Sequence, residues 1–238
     1  MLNVANKADY TFDYYHPYHN YENPVTEHKK KQEFNPYVNN EGTVMAICGK
    51  DYIVFAGDTR LSISYSIVSR DASKIFQLTS KVYLASSGMK ADITALQKYL
   101  KARIEMYIST NRIEPSLSSI AQMLSVTLYS RRFFPYYAFN MLCGQDDDGE
   151  FYCFHYDAVG SFEKLKYGAE GSGSTLIMPV LDNVLKRNKD ITVEQAKKLV
   201  LETMNGTSCR DIYTGDKLEV ITMTKTSVTK EEFPLRSD

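Results

Sequence analysis

The sequence predicts an α+β fold of antiparallel sheets covered by pairs of helices, and three observations carry that prediction. Apolar runs of strand length come in groups at the start, middle and end of the chain, helical periodicity comes in two pairs between them, and neighbouring strand runs are joined by hairpin-sized links. A repeated β-α-β sheet would instead alternate single strands with single helices and need long crossover connections.

The elements follow in order. Val44 to Cys48, Tyr52 to Phe55, Ser66 to Val68, Ile75 to Leu78 and Val82 to Ala85 are strand length, and several are β-branched or aromatic. Gly49-Lys50-Asp51 between the first two is a hairpin signal. Ile93, Leu96, Leu100, Ile104 and Tyr107 then set a helical period, with Asp92 expected as its cap. A second helix is expected from Ser116, burying Ile120, Met123, Leu124 and Leu128 and stopping before Pro135, because the residue ahead of a proline disfavours helix. Strands return at Tyr137 to Cys143 and Phe151 to Tyr156 across the turn Asp146-Asp147-Asp148-Gly149. Two more helices are expected at Ser174 to Lys186 and Thr192 to Met204, the latter opened by a capping box of Thr192 and Gln195. Leu218 to Met223 and Ser227 to Phe233 close the chain as strands.

Residues 1–33 stand apart, being polar, rich in tyrosine, asparagine and histidine, and without a sustained period. They read as a disordered or removable leader, and residues 34–238 as one domain. A chain of 238 residues that is 43% hydrophobic can bury a sizeable core. Its formal net charge of -1 offers no field for nucleic acid, and the short basic run His28-Lys29-Lys30-Lys31 reads as a solvated tail segment. Cys48, Cys143, Cys153 and Cys209 form no CxxC pair and no metal-ligand spacing. They read as reduced thiols of a cytosolic or nuclear protein, and neither a metal nor a cofactor is expected. With no apolar h-region and no apolar run near the ~20 residues of a membrane span, secretion and insertion are not expected. His155 is the one histidine outside the leader, so a Ser-His-Asp or Cys-His hydrolase would have to use it; within the run Phe151 to Tyr156 it reads as structural.

Several motifs carry chemistry. Gly57-Asp58-Thr59-Arg60 follows an apolar strand, where Asp58 can orient Lys74 by a charge-assisted hydrogen bond, although the pair alone would read as a surface ion pair at a turn. Gly171-Ser172-Gly173-Ser174 can aim backbone N–H groups at an anion, yet it lacks the Lys-Ser/Thr of a phosphate loop, and its plain reading is a turn with Ser174 as N-cap. Ser130-Arg131-Arg132-Phe133-Phe134-Pro135-Tyr136-Tyr137 sets two arginines beside four aromatics, which suits a packed interface, or else a core strand with a basic edge.

With Gly42-Thr43-Val44-Met45-Ala46-Ile47, Ser73-Lys74, Ser87-Gly88 and Arg210-Asp211-Ile212-Tyr213-Thr214-Gly215, these motifs resemble in order and spacing the β subunits of the 20S proteasome, from about Phe34 to the C-terminus. The resemblance implies a four-layer αββα sandwich of the N-terminal nucleophile hydrolase type. Active members attack with an N-terminal threonine whose own α-amino group is the general base, while a lysine lowers the hydroxyl pKa. Counting back sixteen residues from Asp58 and thirty-two from Lys74, as the family spacing requires, gives Gly42 both times. Thr43 is one place late, and along a strand that slip turns its hydroxyl to the opposite face, out of the ~3 Å reach a base needs. The chain is therefore expected to be catalytically silent, with Gly42, Asp58, Lys74, Ser172, Asp211 and Thr214 as a retained scaffold. The rival expectation is an active subunit cut between Gly42 and Thr43 that uses Thr43 in a shifted geometry.

Ser130 to Tyr137, supported by Asp157-Ala158-Val159-Gly160-Ser161-Phe162 and Leu181-Asp182-Asn183, is similar to the family's non-catalytic sixth β position, with Arg131, Arg132, Phe133, Phe134, Tyr136 and Tyr137 as interface residues. The resemblance implies a place among other β subunits in a heteroheptameric ring, between an α ring and the opposing β ring. The particle would take unfolded protein substrates in ubiquitin-dependent degradation, in cytoplasm and nucleus, without nucleic acid or membrane. It also implies that Asp146 contacts substrate in the channel of a neighbouring active subunit, and that the leader is trimmed near Glu33, just ahead of Phe34-Asn35-Pro36-Tyr37.

Overall fold

In the computed structural model, which describes residues 34–188 and 190–237, the first half of the chain runs β1 (Thr43–Cys48), β2 (Tyr52–Asp58), β3 (Leu61–Ile63), β4 (Ser66–Ser69), β5 (Ile75–Gln77), β6 (Val82–Gly88), α1 (Lys90–Asn111) and α2 (Leu117–Tyr129). It continues through β7 (Ala138–Gln145), β8 (Phe151–Tyr156), β9 (Phe162–Leu165), β10 (Tyr167–Gly171), α3 (Ser174–Leu185), α4 (Val193–Ser208), β11 (Lys217–Thr224) and β12 (Val228–Pro234). The leader expected over residues 1–33 lies outside the described residues.

Two five-stranded antiparallel sheets form the centre, one ordered β10-β1-β2-β11-β12 and the other β5-β6-β7-β8-β9, with β3 and β4 as a separate hairpin. Period-2 alternation distributes their side chains into three apolar layers. In the first sheet Met45, Ile47, Val54, Ala56 and Val220 face α3 and α4, packing on Ile177, Leu181, Val200 and Met204. In the second, Leu84, Leu142 and Phe154 face α1 and α2, packing on Leu96, Leu100, Ile120 and Leu124. The other faces, with Val44, Ala46, Phe55, Tyr83, Met141 and Phe151, close on each other. The result is the four-layer αββα sandwich, with central strands buried on both sides.

The local expectations fare unevenly. Gly49 to Asp51 turns β1 into β2, and Thr192 and Gln195 form the capping box of α4. Asp92 does not cap α1; Met89 is the N-cap, and Asp92 accepts the Tyr137 N–H at 2.8 Å, tying α1 to the start of the second sheet's β7. The N-cap of α3 is Gly173 rather than Ser174. Three strands carry no clear sequence signal: β3 has three residues, β9 is largely exposed, and β10 is a sheet edge containing two glycines. Residues 130–134 form turns, not a core strand.

His155 on β8 shares the inward face of Phe151 and Cys153 and reaches across to the other sheet, where its Nε2 lies 2.9 Å from Glu170 Oε1 on β10. The bond to Glu170 raises the His155 pKa, and partial burial opposes it without cancelling it. A raised folded-state pKa means that this pair's contribution is full below the ordinary histidine value of about 6.5 and is lost as pH rises through the folded pKa. The thermal midpoint of wild type should exceed that of Glu170→Gln most at about pH 6, with the gap shrinking toward about pH 9; a gap independent of pH would show that charge on His155 does not contribute.

Candidate functional site

The alternation of β1 settles which residue meets Lys74. Val44 and Ala46 point into the layer between the sheets and Met45 and Ile47 toward α3 and α4, so Thr43 falls on the helix side and Gly42 on the inner side. A Cβ built on Gly42 would lie 2.0 Å from Lys74 Cε, 2.6 Å from its Nζ and 3.0 Å from Asp58 Oδ1. Position 42 thus addresses the lysine and aspartate, and the lysine already fills the space that a side chain there would take. The backbone at Gly42 has φ 88°, a left-handed conformation that suits glycine.

Asp58, at the end of β2, is fully buried and joins four segments. Its Oδ1 accepts the Thr43 N–H at 2.7 Å and lies 3.2 Å from Lys74 Nζ, while Oδ2 accepts the Arg60 N–H at 3.1 Å and the Gly215 N–H at 3.3 Å. Burial raises the Asp58 pKa, against the lowering effects of the Lys74 ammonium and the Thr43 and Gly215 N–H groups. Lys74 Nζ also donates to the carbonyls of Asp58 and Arg60 at 2.8 and 2.7 Å, which accounts for its three N–H donors. Next to this pair Arg60 holds Asp216 through Nε at 2.8 Å, both side chains being buried, and donates to the Ile212 carbonyl. Those bonds fix the Arg210 to Gly215 loop against the end of β2.

Ser172, Asp211 and Thr214 come together as the family resemblance implies. Asp211 Oδ2 accepts from Ser172 Oγ and from Thr214 Oγ1, each at 2.6 Å. Because the Thr214 proton is committed to Asp211, Thr43 Oγ1 donates to Thr214 Oγ1 at 2.7 Å and itself accepts the Gly173 N–H at 2.9 Å. The Thr43 hydroxyl is therefore spent in a buried polar chain on the helix side, and the Gly173 N–H is not offered to an anion.

The segment ahead of Gly42, which sequence reasoning did not single out, is anchored beside this site. Asn40 is buried: its N–H donates to the Gly88 carbonyl at 3.1 Å, its Nδ2 to the Ser62 carbonyl at 3.1 Å, and its Oδ1 accepts the Lys90 N–H at 2.8 Å. Glu41 follows with φ 54°. Burial, and then the nearby Asp211, raise the Glu41 pKa, although Asn39 donates a hydrogen bond to it.

The remaining candidates lie elsewhere. Asp146 lies in the turn between β7 and β8, and its carboxylate reaches the start of α2, where it takes the Ser118 N–H and hydroxyl. Burial would raise its pKa, but the bonds from Ser118 and the Asp147 N–H outweigh it and hold the carboxyl below the usual range. Phe133 is 94% exposed and Phe134 58% exposed, on a loop where Arg131 lies 5.1 Å over the Tyr136 ring and Phe134 stacks with Tyr37; Arg132 is exposed, and Tyr137 packs edge-on to Phe139. Cys48, Cys143 and Cys153, far apart in sequence, converge between the sheets, and burial pushes the Cys48 and Cys143 thiols well up. Among the described residues no three His, Cys, Asp or Glu side chains are placed to hold a metal ion, and no helix is long and apolar enough to cross a membrane.

Comparison with known proteins identifies the family. The family model described as "Proteasome subunit" matches residues 38–223. "Proteasome subunit beta type-1" of Arabidopsis thaliana is 48% identical over 221 residues, covering 88% of this chain and 99% of the relative. The protein of the same name from Dictyostelium discoideum is 47% identical over 214 residues, covering 86% and 91%. "Proteasome subunit beta type-6" of Saccharomyces cerevisiae is 37% identical over 224 residues, covering 87% and 93%. The family model spanning residues 38–223, the four-layer fold and relatives matched along nearly their whole length place this chain in the proteasome subunit family.

Proposed function

We propose that this chain is the non-catalytic subunit at the sixth β position of the 20S proteasome core, the place indicated by the names of its relatives. The observation that carries the reading is the glycine at position 42. The one position whose side chain would meet Lys74 and Asp58 has none, while the neighbouring Thr43 hydroxyl is bonded away from them. A lysine that lowers a hydroxyl's pKa must stand within hydrogen-bond reach of it, and among the described residues no hydroxyl is bonded to Lys74 or to the Asp58 carboxylate. The rival reading, with Thr43 as nucleophile after cleavage at Gly42-Thr43, would need that hydroxyl freed from Thr214 and Gly173 and turned to the other face of β1.

The chain's work is then structural. Large apolar side chains stand exposed on both helix layers, Met106 of α1, Val126 and Tyr129 of α2 and Leu176 of α3 among them, together with Phe133 and Tyr65 on loops. Such surfaces suit packing between an α ring and an opposing β ring, with β neighbours on either side. The Arg131 to Tyr137 loop is the reading's contact with a neighbouring subunit. Asp146 borders the substrate channel of an active neighbour, through which unfolded proteins pass in ubiquitin-dependent degradation, in cytoplasm and nucleus. The mature chain starts near Glu33, leaving 34–238 as the working domain.

In assembled particles treated with a covalent threonine-directed inhibitor, mass spectrometry should find this chain starting near Glu33 and carrying no adduct; a start at Thr43 with an adduct would establish the rival reading. Gly42→Thr puts a β-branched residue at a positive φ and displaces Lys74 from its buried partners, so denaturant unfolding should show a loss of about 2–4 kcal/mol, again without adduct. Asp146→Ala should shift peptide preference and inhibitor affinity at the neighbouring active site several-fold; unchanged values there would remove Asp146 from the substrate channel.

A further inference from the structure

A cleft of about 240 Å³ opens between the end of β6, the end of β10 and the segment Asn39 to Glu41. Glu41 and Glu170 are its charged wall residues, with no lysine, arginine or histidine among the lining. One oxygen of each is engaged, Glu41 Oε1 by Asn39 and Glu170 Oε1 by His155, and the second oxygen of each makes no hydrogen bond among the described residues. Behind the walls, Asp211 adds negative charge near Glu41 and His155 offsets Glu170 when protonated. Lys74 and Lys90 line a small neighbouring cavity that shares Glu41, Ser87 and Gly88, with Lys74 paired to Asp58 and the Lys90 ammonium donating to the Ser73 carbonyl. A second observation is independent of the carboxylates. Ser87 is among the lining residues and only 2% exposed, and its hydroxyl has no hydrogen-bond partner among the described residues. Phe139 supplies an apolar side.

These features define a ligand by its chemistry. An anion would meet two carboxylates, and a purely apolar group would leave Ser87 unpaired inside the protein. A cationic head with several N–H donors on an aliphatic stem meets each need: charge for the free carboxylate oxygens, a donor for Ser87 and methylenes for Phe139. We propose that the cleft is a binding site for an alkylammonium or guanidinium group, the side chain of lysine or arginine in an extended polypeptide, held beside position 42 without being cut. The holding without cutting rests on the silent-subunit reading above; the preference for a cation does not.

The test uses the assembled particle with its active threonines capped by a covalent inhibitor. Nα-acetyl-lysine methylamide and Nα-acetyl-arginine methylamide are titrated, with Nα-acetyl-norleucine methylamide as the uncharged control, and the cleft is viewed by structure determination at saturating probe. Both cationic probes should fill the cleft and the control should not, and Glu41→Gln should weaken cationic binding about fivefold, with Ser87→Ala weakening it less. Ser87→Ala supplies the reading if Glu41→Gln fails to assemble. A cleft filled equally by the control, left empty at saturation, or insensitive to both substitutions overturns the site. The function reading fails by other signs, a chain that elutes free of any large particle or a Thr43 adduct, and the same titration on the full-length free chain still tests the cleft.

Discussion

The central strands of this protein are buried on both faces, and that constraint fixes everything at the site. Sliding β1 by one residue would exchange Met45 and Ile47, which fill the layer under α3 and α4, with Val44, Ala46 and Cys48, which fill the layer between the sheets. Both layers would then be wrongly packed, one overfilled and the other with voids, and each error costs on the order of kcal/mol per residue. The register is further pinned by pairing on both sides, Met45 opposite Ala169 on β10 and opposite Ala56 on β2. Gly42 and Thr43 cannot trade faces while the core holds, so the chemistry of position 42 follows from the packing of residues 44 to 48.

Asp58 is the polar counterpart of that apolar constraint. Its carboxylate gathers the N–H groups of Thr43, Arg60 and Gly215 and the Lys74 ammonium, linking the start of β1, the turn after β2, the residue before β5 and the loop before β11. Arg60 and Asp216 repeat the arrangement one step away. A buried charge is tolerable only when its partners are present, so removal of any one member leaves the others uncompensated. The scaffold of a catalytic site is in this sense also the clasp that closes one end of the sandwich.

Much of this was legible in the sequence because it depends on local signals. The four helices, the hairpin at Gly49 to Asp51 and the capping box at Thr192 follow from periodicity and turn chemistry. The placement of Gly42 opposite Lys74 followed from the spacing of the family that the sequence resembles, combined with strand alternation. What escaped was set by distant partners. The edge strand β10 is defined by its pairing with β1 rather than by its own residues, Tyr167 to Gly171 having little strand character. Asp92 left the capping role because the Tyr137 N–H, far along the chain, competes for it. The meeting of Cys48 with Cys143 and Cys153, and of His155 with Glu170, requires the two sheets to be stacked, and no one-dimensional period encodes that.

The same energetics explain why, on the reading proposed above, a silent site would take this form. Deleting Asp58 would orphan three N–H groups and the Lys74 ammonium, and deleting Lys74 would leave Asp58 buried without its cation; each is the kind of change that costs several kcal/mol. Losing Ser172 or Thr214 would break the chain that satisfies the Thr43 hydroxyl and Asp211. A glycine at position 42 breaks none of these bonds. Its missing side chain leaves no polar group unpaired, Lys74 occupies the vacated space, and the backbone there has the positive φ that glycine adopts without strain. Of all the positions in the constellation, the nucleophile is the one that chemistry requires and the fold does not, so activity can be lost there while the subunit's architecture is kept.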